Sequence, residues 1–283
     1  MSRTPVVIGE SSQLGQSLKR IHPNWRYINR HHLDLLKTED IRRYFQKEEE
    51  IILNFASFNA VDDAESRRRD EANKINATAV GELARCAKHF IHISSDYVFS
   101  GEKRSPYIES DAVGPVNFYG ETKLQGEVLA LRNNPKSVIL RTSWLYSEFS
   151  KNFVKRMHEL AMTRNELKVV NDQIGTPTYA GDLAAVISMI SANVTAHEGQ
   201  IYHFSNEGEC SWYDFAKEIF KYKNKDVKVS PISARDYPVP TRRPTYTVLD
   251  KSKIKKALSI DVPNWAHSLS EFLTHPAFVP KLK

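Results

Sequence analysis

Cysteine is scarce, two in 283 residues, with Cys86 inside a helical pattern and Cys210 beside Ser211-Trp212. A pair so far apart supplies neither the C-x-x-C spacing of a zinc or redox site nor the staples of a disulfide scaffold, and a reducing cytosol is the expected setting. Long apolar runs are also missing. The most apolar helix candidate, Leu183 to Ile190, is too short to span a bilayer, and Met1-Ser2-Arg3-Thr4-Pro5 lacks the apolar stretch of a signal peptide. The chain is therefore expected to be soluble and cytoplasmic, with no membrane contact. No internal repeat or low-complexity tract occurs.

What is present is an ordinary globular composition of 41% hydrophobic, 26% charged and 10% aromatic residues. That excludes disordered and collagen-like chains and leaves one unit with a full core, or two units sharing a cleft. With 40 basic against 34 acidic residues the formal charge is +6, which favours acidic ligands such as phosphates, nucleotides or nucleic acid without choosing among them.

Strand and helix patterns alternate from the start. Val6-Val7-Ile8 is a β-branched run that meets Gly9 and then the periodic Leu14, Leu18 and Ile21, the opening of a βαβ unit. A strand at 25–29, a helix at 38–46, a strand at 51–56, a helix at 72–88 and a strand at 90–94 follow. After the irregular stretch 100–116, which holds Pro106 and Pro115, come a helix at 117–132 and a strand at 137–142. The pattern predicts an α/β fold with a Rossmann-type doubly wound parallel sheet. Helices at 153–163 and 180–192 and a strand at 201–205 continue it. Beyond Glu207 lie helices at 212–221, 251–257 and 265–274 and the proline-punctuated stretch 230–244. The expected division is a dinucleotide-binding domain of residues 1–145 and about 179–206, with a smaller α/β substrate-binding domain of about 146–178 and 207–283 closing over the carboxyl ends of the strands.

Three features bear on chemistry. Gly9-Glu10-Ser11-Ser12-Gln13-Leu14-Gly15 lies where a strand becomes a helix, so backbone N–H groups and the helix dipole are placed to hold a pyrophosphate. Its spacing is G-x-x-S-x-x-G with Ser12 in the middle glycine position, and an ordinary strand-helix turn remains the alternative. The second strand ends on Arg30, where an NAD site often carries an acidic residue against the ribose 2′-OH. A guanidinium there suits a 2′-phosphate and so NADPH over NADH, against the alternative of a solvated basic turn. Asp34, with Leu35 beside it, falls on the adenine side.

The third feature is Tyr119-Gly120-Glu121-Thr122-Lys123. Residues i and i+4 share a helix face, so the Tyr119 hydroxyl and the Lys123 ammonium line one wall, and the ammonium is expected to lower the phenol toward useful proton transfer. Among 12 Tyr this spacing arises by chance, and Tyr213 with Lys217 repeats it on an amphipathic helix that buries Trp212, Phe215 and Phe220. Tyr119, however, follows a strand that ends Ile93-Ser94-Ser95-Asp96-Tyr97 and delivers hydroxyls to the carboxyl edge of the sheet, where doubly wound folds bind ligands.

Taken together, His92-Ile93-Ser94-Ser95-Asp96-Tyr97-Val98-Phe99, Asn117 to Glu127, Arg141-Thr142-Ser143-Trp144-Leu145-Tyr146 and Val170 to Thr178 resemble, in order, the dTDP-4-dehydrorhamnose reductase family of extended short-chain dehydrogenases. Asn54 to Glu65, Ile75-Asn76-Ala77-Thr78 and Arg242-Arg243-Pro244 extend the resemblance over nearly the whole chain. It implies NAD(P)H-dependent reduction of the C4 ketone of dTDP-4-dehydro-L-rhamnose to dTDP-L-rhamnose, within nucleotide-sugar and polysaccharide biosynthesis. It makes Tyr119 the acid, Lys123 its tuner and ribose anchor, and Ser95 the hydroxyl partner. It lays Ser12, Gln13 and Leu14 along the pyrophosphate and Ser57, Phe58 and Asn59 near the ribose and nicotinamide. Val61, Ser95, Asp96, Trp144 and Arg243 face the sugar nucleotide, with interdomain core as the alternative for Trp144 and a solvated loop position for Arg243. Phe58 stands where relatives commonly carry histidine. A homodimer is implied, and Mg²⁺ at a dimer contact in some relatives, although no acidic ligand set is evident in this sequence.

Two other readings are weighed. The regulatory β subunit of methionine adenosyltransferase resembles the same family, so a non-catalytic dinucleotide-binding subunit is one alternative, and a reductase of another 4-keto-6-deoxy sugar nucleotide is the other. A dehydratase is disfavoured because Asp96 is followed by Tyr97 instead of glutamate. The basic runs Arg67-Arg68-Arg69, Lys221 to Lys225 and Lys251 to Lys256 are scattered over different elements without interleaved aromatics, which reads as solvated helix faces and no nucleic-acid partner.

Overall fold

The computed structural model describes residues 4–222, 227–238 and 241–274. Residues 1–3, most of the 221–225 basic run, two positions of the 230–244 stretch and the chain beyond 274 lie outside the described residues.

The first half alternates as its hydrophobic pattern dictates. β1 (Val6–Ile8) is buried along its whole length, and α1 (Gln13–Ile21) begins at Ser12, whose Oγ accepts from the Gly15 N–H at 3.0 Å. β2 (Arg26–Ile28), α2 (Thr38–Tyr44) and β3 (Glu49–Asn54) follow, then the short α3 (Val61–Glu65). α4 (Arg69–Asn73) runs through a π-turn at Lys74–Thr78 into α5 (Ala79–Arg85). The helix expected to reach residue 88 ends at Arg85, and β4 (Ala87–Ser95) starts three residues before the expected strand. Lys88 reads as helical by propensity, yet it sits in a ladder where Ala87 faces Glu49 and its ammonium meets Glu50 at 3.0 Å. Tertiary pairing overrides local preference there.

α6 (Phe118–Asn133) and β5 (Val138–Thr142) complete this half, and the chain then leaves the sheet through β6 (Leu145–Tyr146), α7 (Phe153–Thr163), β7 (Glu166–Val170), β8 (Ile174–Gly175) and β9 (Thr178–Tyr179). It returns with α8 (Ala180–Ala192) and β10 (Ile201–His203) before β11 (Cys210–Ser211), α9 (Trp212–Lys221), β12 (Lys228–Ile232), α10 (Ser252–Leu258) and α11 (Trp265–Thr274).

Six strands form one parallel sheet in the order β10-β5-β4-β3-β1-β2. Strand side chains alternate between two cores. Val7 and Ile91 meet Leu14 and Leu18 of α1 and Leu183 and Ile187 of α8 on one face, while Val6, Ile8 and Phe90 meet Ile41 of α2 and Val80 and Leu83 of α5 on the other. Helices on both faces make the sheet doubly wound, and the order reverses between β1 and β3, opening a crevice at their carboxyl ends.

A third core gathers Tyr146, Val154, Met157, Leu167, Phe215, Ile219, Leu269 and Phe272. It is framed by the parallel pair β7 and β12, the antiparallel pair β8 and β11, and the two-residue pair β6 and β9. One element departs from the expected division: Ile254 of α10 packs into the sheet core, and Lys253 Nζ donates to the Ile201 carbonyl at 2.7 Å, so residues 252–258 belong with the sheet. Among the described residues no helix is long and apolar enough to cross a membrane.

Candidate active site

A cleft of about 800 Å³ opens over the carboxyl ends of β1, β3, β4 and β5, between the sheet and the third core. Its floor is the first turn. Gly9 has φ +95°, and a Cβ there would lie 2.7 Å from Ala56 N, so only glycine lets this turn pass so close to the end of β3. Gly9, Ser12, Gln13 and Leu14 line the cleft. Gly15 stands behind it, where a Cβ would meet the Gly9 carbonyl at 2.3 Å, so its part is close helix-strand packing instead of ligand contact. Ser12, in the middle glycine position, is the N-cap of α1 and keeps the helix N-terminus facing the cleft.

The Gln13 side chain turns toward the third core. Its Nε2 donates to the Leu145 carbonyl at 3.1 Å, and its Oε1 accepts from Ser147 Oγ at 3.0 Å and Asn152 Nδ2 at 2.9 Å. The cleft floor is thus tied to the loop 147–152, whose Ser150, Lys151 and Asn152 form an outer wall. At the end of β2, Arg30 is exposed and its Nε lies 3.7 Å from Asp34 Oδ1, while Leu33 and Leu35 are buried in the sheet core and supply an apolar wall.

Beyond β3, Ser57, Phe58 and Asn59 line the cleft, with Val61 after them. They are pinned by Asn76, fully buried in the π-turn. Its Oδ1 accepts from Ser57 Oγ at 3.0 Å and Phe58 N at 2.8 Å, and its Nδ2 donates to the Phe58 carbonyl and to Thr122 Oγ1, both at 3.1 Å. π-turns inside helices recur at functional sites. Sequence reasoning noted Asn76 only as part of a resemblance. Its signal was an amide on the buried stripe of a helix, between Ala72 and Val80.

β4 delivers Ser94, Ser95 and Asp96, and α6 delivers Tyr119 and Lys123 one turn apart on the cleft side. α6 is set by its N-cap Asn117, which accepts from the Gly120 N–H at 2.9 Å, and by Gly126, where a Cβ would lie 2.2 Å from the Asn76 carbonyl. Ser95 Oγ donates to Asp96 Oδ1 at 2.9 Å, and Lys123 Nζ donates to the Ile93 carbonyl at 2.6 Å. The Tyr119 hydroxyl lies within the influence of the Ser95 and Ser57 hydroxyls, which line the same cleft.

Burial governs the charges of these groups. It pushes the Tyr119 phenol up to about 12, with the Asp96 carboxylate adding to the rise and the Ser95 and Ser57 hydroxyls opposing it. Lys123 is pushed down to about 8 by burial, with Glu127 opposing. The expected lowering of the phenol by Lys123 is therefore not the dominant effect, and Tyr119 is held as a protonated donor. Asp96 is raised to about 6 by burial against its bonds to Thr247 and Ser95.

Trp144, at φ +45°, lines the cleft and also stacks on Trp212 with ring centroids 3.5 Å apart, so it packs against the third core while forming part of the cleft wall. Arg243 is not on the cleft wall. It lies just outside, paired with Asp62 at 2.9 Å, with Arg243 Nη1, Asp62 Oδ1 and the neighbouring Thr241 Oγ1 buried without a hydrogen-bond partner among the described residues. Tyr213 and Lys217 lie on α9 away from this cleft, the ammonium over its own helix's Tyr213 ring. Among the described residues no group of three or more His, Cys, Asp or Glu side chains converges as a metal site would need.

A family profile described as the RmlD substrate binding domain matches residues 4–277. The chain belongs to this family. Within it, the chain is similar to the dTDP-4-dehydrorhamnose reductases of Sinorhizobium fredii, 42% identical over 77% of this chain and 78% of the relative, and of Aggregatibacter actinomycetemcomitans, 38% identical over 93% and 96%. Its fold superimposes on the dTDP-4-dehydrorhamnose reductase of Bacillus anthracis in complex with NADP, with a TM-score of 0.89 at 34% identity, covering 96% of this chain and 99% of that one.

The RmlD-family cleft of this chain has the features that a nicotinamide dinucleotide requires. The Gly9 cradle approaches to backbone distance, the α1 N-terminus opens on the cleft where an anion is favoured, the Leu33 and Leu35 wall suits a flat base, and Ser94 Oγ is buried at the cleft with no partner among the described residues.

Proposed function

We propose that this protein is an NADPH-dependent reductase that converts dTDP-4-dehydro-L-rhamnose to dTDP-L-rhamnose. The observation that carries the reading is the meeting of Ser95, Tyr119 and Lys123 at the carboxyl edge of β4, in the cleft that Gly9, Ser12, Gln13 and Leu14 floor. The sheet domain, residues 1–145, about 179–206 and 252–258, would hold the dinucleotide, and the third core would hold the sugar nucleotide.

Bound reduced nicotinamide would supply the hydride that the sugar C4 receives. Tyr119 gives its phenolic proton to the C4 oxygen, which its protonated state at neutral pH allows. Ser95 donates to the same oxygen, releasing Asp96 Oδ1. Lys123 orients the ribose. Val61, Asp96 and Trp144 face the sugar, and Arg243 presents its free Nη1 to the diphosphate. Ser57, Phe58, Asn59 and Leu35 bracket the dinucleotide, and Arg30, uncommitted beyond a loose pairing with Asp34, favours the 2′-phosphate. A homodimer rests on the family resemblance alone, a cytoplasmic location on the scarce cysteines and missing apolar runs of the sequence, and Mg²⁺ is not part of this reading.

Oxidation of NADPH and NADH in the presence of dTDP-4-dehydro-L-rhamnose tests it. Tyr119→Phe is expected to lower kcat by about 10²- to 10⁴-fold, the usual worth of a positioned acid. A variant as fast as wild type would remove Tyr119 from the chemistry, and wild type that binds dinucleotide yet turns over no 4-keto sugar would favour the regulatory-subunit reading.

A further inference from the structure

Of the three consecutive arginines 67–69, two are spent on the surface. Arg67 is exposed and pairs with Asp63 at 2.8 Å, and Arg69 lies over the Phe118 ring at 3.7 Å. Arg68 differs: it lines the cleft, and its guanidinium lies 4.6 Å from the centre of the Phe58 ring. Phe58 is the residue that replaces a common family histidine. A histidine able to take a proton would offer Arg68 a poorer platform, whereas the phenyl face attracts a guanidinium.

The guanidinium is also aimed. Arg68 Nε and Nη2 are held by the two oxygens of Glu71 at 2.9 and 2.6 Å. The third nitrogen, Nη1, has Asp63 Oδ2 as its nearest carboxylate, at 3.8 Å, beyond hydrogen-bond reach. Arg30 and Arg68 both line the cleft, and Glu71 feels the charge of each. Arg30 likewise keeps donors, since Asp34 approaches only its Nε, at 3.7 Å. At this rim Glu71 fixes the Arg68 guanidinium, and Arg30 keeps its N–H donors exposed.

We propose that Arg68, carried on the Phe58 ring, joins Arg30 in a two-guanidinium clamp for the 2′-phosphate of the dinucleotide and is a determinant of NADPH preference. This rests on the dinucleotide reading of the cleft. The phosphate monoester is the one group that separates NADPH from NADH, and planar N–H forks match its oxygens better than an ammonium does.

Equilibrium binding of each reduced dinucleotide to the full chain, followed by nicotinamide fluorescence, decides it. Arg68→Ala is expected to raise the Kd for NADPH about tenfold and to move that for NADH by less than about twofold. Arg68→Lys, which keeps the charge and loses the fork, is expected to recover only part of the preference. Phe58→Leu, which leaves every charge in place, is expected to shift the preference in the same direction by a smaller factor, and it guards against a folding defect in the alanine variant. NADPH binding insensitive to all three substitutions would overturn the clamp while leaving the dinucleotide reading intact. Equal loss of both dinucleotides would make Arg68 a mere support of the 57–59 loop and would overturn it as well. Wild type that bound neither dinucleotide would fail the underlying reading, and the clamp with it.

Discussion

Asp96 shows how a single buried group at this site trades stability for position. It is 2% exposed, directly follows the strand hydroxyl, and accepts from Ser95. Burial lifts its carboxyl from 3.8 to about 6, so the folded protein holds the proton more tightly than the unfolded chain does. Its favourable contribution is full below the unfolded value and is lost as pH rises through about 6, leaving the ionised carboxylate to cost of order 3 kcal/mol at pH 8. Asp96→Asn cannot ionise. It is expected to raise the thermal midpoint at pH 8, with the gain vanishing toward pH 4, and to weaken sugar turnover at both. A midpoint gain independent of pH would show that packing, and not ionisation, separates the two proteins.

The catalytic helix is located by contacts between elements more than by its own sequence. Gly126 lets α6 lie against the π-turn with the Asn76 carbonyl where a Cβ would be, and Asn76 in turn fastens the 57–58 loop. Gly126→Ala must push backbone from backbone and is expected to destabilise by about 1–3 kcal/mol, as overpacked cores do. Urea unfolding would measure this, and a change below about 0.5 kcal/mol would mean the helix slides freely. Elements of this size were legible in the sequence: the periodic helices at 153–163, 180–192, 212–221 and 265–274 coincide with α7, α8, α9 and α11. So was the convergence of Ser95, Tyr119 and Lys123, because strand ends and helix faces follow from period. The small pairings were not. β7 reads as alternating, but its partner β12 contains Pro231, which a strand tolerates only when a neighbour on one side suffices, and β6, β8, β9 and β11 are two residues each, formed by tertiary contact. The wall of Ser150, Lys151 and Asn152 and the inward turn of Arg68 depend on such contacts and left no periodic trace.

At the scale of the whole molecule, polar ties join the two halves across the cleft. Gln13 holds Ser147 and Asn152, Arg20 pairs with Glu148, and Asp62 of α3 pairs with Arg243 of the segment leading to α10. Removing the last tie also removes the free guanidinium nitrogen. Arg243→Ala is expected to raise KM for the sugar nucleotide roughly tenfold while kcat changes less, the pattern of a lost ground-state contact. A fall in kcat at unchanged KM would place its effect in the reacting geometry instead. The order of the sheet carries a further consequence, for synthesis of the chain. β5 ends at Thr142, yet its outer neighbour β10 begins only at Ile201, after the excursion through β6 to β9. On the ribosome β5 is therefore an open edge for as long as that excursion takes to emerge, with its backbone donors and acceptors available to any passing strand. Folding of this protein should pause there, and nascent chains stopped before residue 201 should be the ones that aggregate or recruit chaperones.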